Sequence, residues 1–154
     1  MTPGEVTAWL PGMFDAYVLE RVRAGEDPAS ARQSAEQQHE QLFPDGQPGE
    51  SQHVMHVVAD DRVVGVLWIG RPLRGESSAW YVFNIEIDES ARGLGYGREA
   101  MLAAERWALA NGGTRLGLNV FGPNVAARSL YDSLGYQVAA TQMFKELAAN
   151  RRVD

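Results

Sequence analysis

The 154-residue chain carries a formal net charge of −6, is 45% hydrophobic and 22% charged, and contains no cysteine. This balance is typical of one soluble globular domain, and the negative charge argues against a nucleic-acid-binding surface, which would be basic. Because the chain has no cysteine, no apolar run long enough to span a membrane and no signal-peptide pattern at its start, we expect a cytoplasmic protein without disulfides.

Two helices are predicted before any strand. Residues 5–23 repeat apolar side chains at helical spacing, and the stretch AGEDPAS ends that helix. Asp27 and Pro28 have the residue types of an N-cap and a first-turn proline, so they predict a second helix that runs to about Leu42. The stretch FPDGQPGES, rich in proline and glycine, predicts a loop. The apolar face of the first helix consists of Val6, Leu10, Met13, Phe14, Tyr17 and Val18.

The middle of the chain has the composition of β-strands. Residues 53–60 and 62–72 are β-branched runs joined at Asp60 and Asp61, which predicts a hairpin. Residues 79–88 predict a third strand.

The last third of the chain alternates helices with strands. We predict helices over 95–110 and 123–135, a short strand over 114–121, and strand-like residues from 136 to 147. The order of elements predicts an α/β domain around a mixed sheet, which we place at residues 3–147, followed by a flexible tail over 148–154. The residues of the two helices that we expect to face inward are Met101, Ala104, Ala108, Ala127, Leu130 and Leu134. The first of these helices ends at NGG and the second at Gly135.

The stretch SARGLGYGREAML, residues 90–102, contains three alternate glycines behind Arg92 and before a helix. Such a loop directs backbone N–H groups and the positive end of the helix dipole to one point, which is typical of a phosphate site. No Gly-Lys-Ser/Thr follows, which excludes a P-loop, and the G-x-G-x-G spacing differs from the G-x-G-x-x-G of dinucleotide-binding loops. The loop therefore predicts a pyrophosphate site without naming the ligand.

Two motifs together resemble the GCN5-related N-acetyltransferases. ARGLGYG is similar to that family's R/Q-x-x-G-x-G/A signature, through Arg92, Gly95 and Gly97. LNVFGPNVAARSLYDSLGY, about 30 residues later, resembles the family's second motif, and the resemblance extends over about residues 3–147. LFPDG and MFKEL also resemble one bacterial branch of the family. The residues that match the second motif are Asn124, Ala127, Leu130, Tyr131 and Gly135.

The resemblance implies a fold and a co-substrate. The fold is a mixed, mostly antiparallel sheet with splayed central strands and flanking helices. Family members usually begin with a strand, whereas this chain opens in its first helix. The co-substrate implied is acetyl-CoA, with no metal. The residues implied to bind it are Ile85 and Ile87 of the third strand, the loop residues Arg92, Gly93, Leu94, Gly95, Tyr96, Gly97 and Arg98, and Asn119, Asn124, Ala127 and Tyr131.

The resemblance also suggests catalytic groups. Tyr131 occupies the family's general-acid position, although a lone tyrosine at helical spacing would otherwise be a core residue. Some relatives carry a glutamate where this chain has Asn119, and an amide cannot accept a proton at neutral pH. Glu86 is the better candidate for the base, with a solvent-facing strand carboxylate as the equal alternative. His53 and His56, three residues apart on a strand, should face opposite sides and make a poor metal pair.

Two functions follow from the resemblance. The first is an acetyl-CoA-dependent N-acetyltransferase that moves an acetyl group to a primary amine by direct attack in a ternary complex. The alternative is a non-catalytic acyl-CoA-binding or partner-binding domain of the same fold. The acceptor is a small-molecule amine or a protein amine, and the net acidity and Glu86 favour a cationic one. We expect no nucleic-acid or membrane partner, and the sheet edge left by the missing first strand favours a homodimer.

Overall fold

The computed structural model describes residues 1–76 and 78–145, so the predicted tail over 148–154 lies outside the described residues. Up to residue 135 the elements follow the predicted order. A single turn of 3₁₀ helix precedes the first strand, and another follows the third. The helices are α1 (Pro3–Arg23), α2 (Pro28–Leu42), α3 (Tyr96–Ala110) and α4 (Val125–Ser133), and the strands are β1 (Gln52–Ala59), β2 (Arg62–Gly70), β3 (Ala79–Ile87) and β4 (Arg115–Leu118).

The first two helices begin at capping residues. Thr2 and Glu5 form a capping box at the start of α1, with each side chain bound to the backbone of the other. The Asp27 carboxylate accepts a hydrogen bond from the Ser30 N–H at 3.0 Å, and Pro28 is the first residue of α2. The predicted start of α2 is therefore confirmed.

The sheet has the strand order β1-β2-β3-β4. The first three strands are antiparallel neighbours, and β4 lies parallel to β3 after the crossover through α3. Asp60 and Asp61 both adopt positive φ between β1 and β2, which confirms the predicted hairpin. The described chain contains no strand before α1, as the sequence led us to expect.

Helices cover both faces of the sheet. Helices α1 and α2 pack on one face, where Trp68 of β2 joins Leu10, Leu42 and Phe43 in a buried cluster. Helices α3 and α4 pack on the other face; there, Leu67, Ile69 and Val82 of the sheet meet Met101, Ala104 and Tyr131. The three layers leave the central strand β3 with a helical layer above and below it.

A β-bulge interrupts the pairing of β3 with β2. Trp68 lies opposite Asn84 and Ile69 lies opposite Val82, so Phe83 is the extra residue. Because directly opposed residues share a face, Asn84 lies on the α1/α2 face with Trp68. Phe83 stacks on the same tryptophan at a centroid distance of 4.5 Å, so two consecutive residues of β3 occupy one face.

The central strands β3 and β4 separate after their fourth residue pair. Strand β4 pairs with β3 from Ala79 opposite Arg115 to Val82 opposite Leu118, and β3 then continues alone on that edge to Ile87. This separation confirms the predicted splayed strands. It also opens a gap in the sheet beside the second half of β3.

Two predicted strand regions differ from the structure. The strand predicted over 114–121 ends at Leu118, because the separating chain leaves residues 119–121 without a neighbour to pair with. The predicted strand-like segment from residue 136 is not a strand over residues 136–145, and its continuation at 146–147 lies outside the described residues. Strand propensity alone was insufficient there, since the described part of that segment pairs with no strand. Its side chains Val138 and Met143 are exposed.

Core packing under α3 should dominate the stability of this half of the fold. Met101 is fully buried between α3 and the sheet, whereas Leu109 on the same helix is 68% exposed. Met101→Ala should lower the free energy of unfolding by about 2–5 kcal/mol, because it leaves a cavity, and Leu109→Ala should change it by less than about 0.5 kcal/mol. Urea denaturation measures both values. Equal effects of the two substitutions would show that this face is not packed as described.

Candidate active site

A cavity of about 280 Å³ lies where β3 and β4 separate. Residues 81–86 of β3 and residues 118–121 at the end of β4 form its walls inside the sheet. Helices α1 and α2 close it on one side, and α4 contributes Tyr131 on the other. The cavity therefore connects the two faces of the sheet through the gap.

The backbone groups of Ile85 and Ile87 in β3, two positions that the sequence analysis selected, face this gap. The Asp88 N–H donates to the Val64 carbonyl at 2.9 Å, so residues 84, 86 and 88 direct their backbone groups toward β2. Ile85 and Ile87 consequently direct theirs to the opposite edge, beyond the end of the β4 pairing. Ile85 lines the cavity. This edge offers an extended ligand hydrogen bonds of the kind that a neighbouring strand would make.

The glycine loop begins α3 with two left-handed residues. Gly93 has φ 77°, and Gly95, the N-cap of α3, has φ 88°. Both values lie in the left-handed region, where residues other than glycine are strained. Within the described chain, none of the backbone N–H groups of residues 93–97 donates to a protein acceptor. Five consecutive N–H groups at a helix N-terminus match the predicted anion site in geometry and in electrostatics.

Gly97 has a different role from the other two glycines. It lies inside α3, and an added Cβ would meet Leu130 at 3.5 Å and Ile87 at 3.8 Å, which are ordinary contacts. Gly97 therefore differs from Gly93 and Gly95, whose φ angles are positive. A small residue here keeps α3, α4 and the end of β3 close together.

The two arginines of the loop contact the protein itself. Arg92 donates through Nε to the Ile87 carbonyl at 2.9 Å, which ties the loop to the end of β3. Arg98 donates to the Ser133 hydroxyl near the end of α4. Leu94 is 65% exposed, and Tyr96 is half-buried as the first residue of α3. The loop is thus fixed to β3 and α4, with its apex in solvent.

Helix α4 brings three of the selected residues to the cavity. Asn124 caps the helix, since its Oδ1 accepts a hydrogen bond from the Ala127 N–H at 3.1 Å. Asn124, Ala127 and Tyr131 all line the cavity. Asn119, exposed just beyond β4, lines it as well. Positions far apart in sequence therefore meet around one space.

Tyr131 is buried in the core cluster, with its ring 5.8 Å from that of Tyr136. Burial raises the pKa of the Tyr131 phenol, so the group stays protonated at neutral pH. Its hydroxyl makes no hydrogen bond to the described residues. A protonated phenol at the cavity wall with no protein acceptor is suited to donate a proton to a bound group.

Glu86 lies on the α1/α2 face of β3, opposite Val66, and it lines the cavity with its side chain exposed. Its carboxylate forms no ion pair with the described residues. It therefore shares the cavity with Tyr131, which enters from the α3/α4 side. A carboxylate, which can accept a proton, and a phenol, which can donate one, thus lie on opposite sides of one cavity.

The two histidines of β1 lie on opposite faces of the sheet. His53 packs against Trp80 and Trp107, and this burial lowers its pKa, whereas His56 contacts Glu5 of α1 at 3.2 Å. Within residues 1–76 and 78–145, no three His, Cys, Asp or Glu side chains come together as a metal site. Across the same residues, no helix combines the length and apolar character that crossing a bilayer requires.

The sequence analysis missed the wall of the cavity formed by α1 and α2. His39 of α2 lines it with a buried Nε2 that has no hydrogen-bond partner in the described residues, and Asn84 of β3 has an equally buried, unpartnered Nδ2. Tyr17 lines it from α1 and donates to the Gln38 side chain at 3.3 Å. One indication was available: Gln38 and His39 interrupt the apolar stripe of α2 between Ala35 and Leu42.

Comparisons with known proteins agree with this arrangement. The model of a family described as acetyltransferase (GNAT) matches residues 13–136. Two curated proteins of Bacillus subtilis (strain 168), both named as uncharacterized N-acetyltransferases, are similar over nearly the full chain. YycN is 29% identical over 149 residues, which is 96% of each chain, and YdgE is 29% identical over 150 residues, which is 96% of this chain and 95% of that one.

Solved structures share the fold. The crystal structure of YycN has a TM-score of 0.85 at 28% identity and covers 97% of this chain and 96% of its own. AAC(6')-Iy, in complex with the bisubstrate analog CoA-S-monomethyl-acetylneamine, has a TM-score of 0.54 at 14% identity over 81% of this chain and 83% of its own, and at that identity the likeness shows the fold alone. Because the family model covers most of the chain and the folds agree, this protein belongs to the acetyltransferase (GNAT) family.

Proposed function

We propose that this protein is an acetyl-CoA-dependent N-acetyltransferase that acetylates a primary amine by direct attack in a ternary complex. The observation that carries the proposal is the position of the cavity. It brings the free backbone edge of β3 and a phenol without a protein hydrogen-bond partner together at the gap between β3 and β4, and Arg92 ties the glycine loop to the end of the same strand. Family membership supports acetyl-CoA as the donor, and so does the CoA-containing bisubstrate analog bound to AAC(6')-Iy.

The residues present fit a pyrophosphate joined to a long amide-containing arm. The N–H groups of residues 93–97 would bind the pyrophosphate, and the backbone of Ile85 and Ile87 would pair with the amides of the arm. Arg92 already fixes the loop to Ile87, so little ordering of the protein is needed for both contacts to form. Acetyl-CoA, when bound, supplies a thioester carbonyl carbon to the cavity.

Proton transfer would use the two ionisable groups at the cavity. As the amine nitrogen attacks the carbonyl carbon, a C–N bond forms and the C–S bond breaks. The nitrogen loses a proton, for which Glu86 is the acceptor, directly or through a water molecule. The thiolate gains a proton, for which the Tyr131 hydroxyl is the donor, and burial keeps this phenol protonated beforehand. The Glu86 carboxylate and the Tyr131 hydroxyl would approach the reacting atoms from different faces of the sheet.

The test is a thiol-release assay with acetyl-CoA and a panel of amines. We expect release that depends on enzyme, acetyl-CoA and amine together, with the N-acetylated product identified by mass spectrometry. Calorimetry with CoA alone provides the control for binding. If CoA binds and no amine causes thiol release, the result supports the non-catalytic acyl-CoA-binding alternative and contradicts an acetyltransferase.

A further inference from the structure

The part of the cavity on the α1/α2 face is rich in aromatic rings and contains two carboxylates. Glu20 of α1 and Glu86 of β3 lie on its two sides. No lysine or arginine occurs among the described residues that line the cavity. The aromatic residues of this lining are Phe14, Tyr17, Trp68, Tyr81, Phe83 and Phe121.

Four of these aromatic residues form two contacting pairs, and one of them, Tyr17, lies one helical turn before Glu20 on α1. The rings of Tyr17 and Phe121 have centroids 6.3 Å apart, and Tyr81 lies 5.0 Å from Phe83 on the sheet. Burial, and to a smaller extent the neighbouring Tyr17, raises the pKa of Tyr81, so the Tyr81 phenol remains neutral. Neutral aromatic rings attract cations through their faces.

The arginines near this surface are already balanced by carboxylates. Arg21 lies 5.5 Å from the centroid of the Tyr17 ring and is bound to Glu26 at 2.7 Å. Glu20 binds Arg23, also at 2.7 Å. Glu86 is the carboxylate of the cavity that has no ion pair in the described part of the chain. The lining therefore keeps an uncompensated negative charge beside its aromatic rings.

We propose that the acceptor amine carries a second positively charged group, which binds between Glu20 and the aromatic rings of Tyr17, Tyr81 and Phe121. This inference rests on the proposed function and adds the chemical class of its acceptor. An acceptor with a carboxylate at that end would meet two negative side chains and no cation of the lining. An acceptor with an alkyl end would contact the rings but would leave the Glu20 carboxylate paired with Arg23 alone.

Three acceptors of one length separate these cases: 1,5-diaminopentane, pentylamine and 5-aminopentanoate. They differ only in the group at the far end. We expect kcat/KM in the thiol-release assay to be about tenfold higher for the diamine than for pentylamine, from combined cation–π and charge contacts. The carboxylate acceptor should be about tenfold lower than pentylamine. Equal or faster turnover of 5-aminopentanoate than of the diamine would overturn the inference.

Glu20→Gln identifies the residue responsible. It removes the carboxylate and leaves Arg23 without its partner near the bound cation, so the preference for the diamine over pentylamine should fall about fivefold. The ratio of kcat/KM for the two amines is measured on the same variant, so a general loss of activity cancels and only the preference is compared. Asp15→Asn is the matched control: Asp15 is also on α1 and paired with an arginine, Arg32 at 3.5 Å, but it does not line the cavity. An equal loss of preference in both variants would indicate general charge attraction and contradict this site.

Calorimetry with CoA-saturated protein separates this inference from the proposed function. If 1,5-diaminopentane binds and pentylamine binds at least about tenfold more weakly, without thiol release in the acetyl-CoA assay, the cation site stands and the proposed catalysis fails. If the diamine neither binds nor is acetylated, the cation site is overturned, whatever the affinity for CoA.

Discussion

Tyr131→Phe should lower kcat about 100-fold, which corresponds to about 2.7 kcal/mol of transition-state stabilisation. The substitution removes the phenolic proton and keeps the ring, which packs in the core on the α3/α4 face. The hydroxyl binds none of the described residues, so we expect the melting temperature and the CoA affinity to change little. Steady-state kinetics, thermal unfolding and calorimetry on one preparation give all three quantities.

Tyr136→Phe is the matched control for this prediction. Tyr136 lies 5.8 Å from Tyr131 between ring centroids, and its phenol is also buried, but it does not line the cavity. Loss of the Tyr136 hydroxyl in this variant should leave kcat unchanged. A purely structural role for Tyr131 would give the opposite pattern in Tyr131→Phe: a lower melting temperature with unchanged turnover per folded molecule. Full activity in that variant would remove Tyr131 from the catalytic residues.

Gly95→Val should abolish CoA binding that calorimetry can detect, a loss of more than about 100-fold or about 2.7 kcal/mol. An added Cβ would meet no atom within 4 Å apart from its own chain neighbours, so we expect the steric effect of the valine to fall on whatever occupies the loop. It would also strain the backbone, since φ is 88° at this position, at a cost of about 1–3 kcal/mol in stability.

Gly112→Val is the control that separates the effect of backbone strain from the loss of the CoA-binding loop. Gly112 has φ 73° and open space around it, but it lies past the other end of α3, about 22 Å from the loop for a helix of 15 residues. We expect a similar loss of stability in this variant together with normal CoA binding. If Gly95→Val bound CoA as tightly as the unchanged protein, the loop would not be the pyrophosphate site.

Local chemistry made the helices and the glycine loop predictable. The residue types at Asp27 and Pro28 fix the start of α2 through a hydrogen bond three residues away, and that contact needs no distant partner. In the same way, alternate glycines before an apolar helix indicated a tight turn at the helix start, and Gly93 and Gly95 adopt there the left-handed backbone that glycine allows. Such features depend on a few neighbouring residues, so the sequence contains all that determines them.

The acceptor side of the cavity depends on residues that are distant in sequence, and it could not be predicted. Tyr17 and Tyr81 belong to different layers and approach each other only because α1 packs across the sheet. The end of β4 at Leu118 depends equally on where β3 and β4 separate. Residues 136–145 show the converse, since their strand-like composition did not bring them into the described sheet.

The bulge at Phe83 shifts the alternation of side chains between the two faces of β3 by one residue. Counted by twos from Val82, which faces α3, Glu86 would also face α3, and Ile85 would face α1 and α2. The one extra residue reverses this assignment, so the carboxylate reaches the cavity and Ile87 packs beside Gly97. If the same residues paired with β2 without a bulge, Glu86 would turn into the apolar core, at a cost of several kcal/mol for an unpaired buried charge. The side of the sheet that carries the acidic group is therefore set by the bulge at Phe83, which places one residue without a partner between Val82 and Asn84.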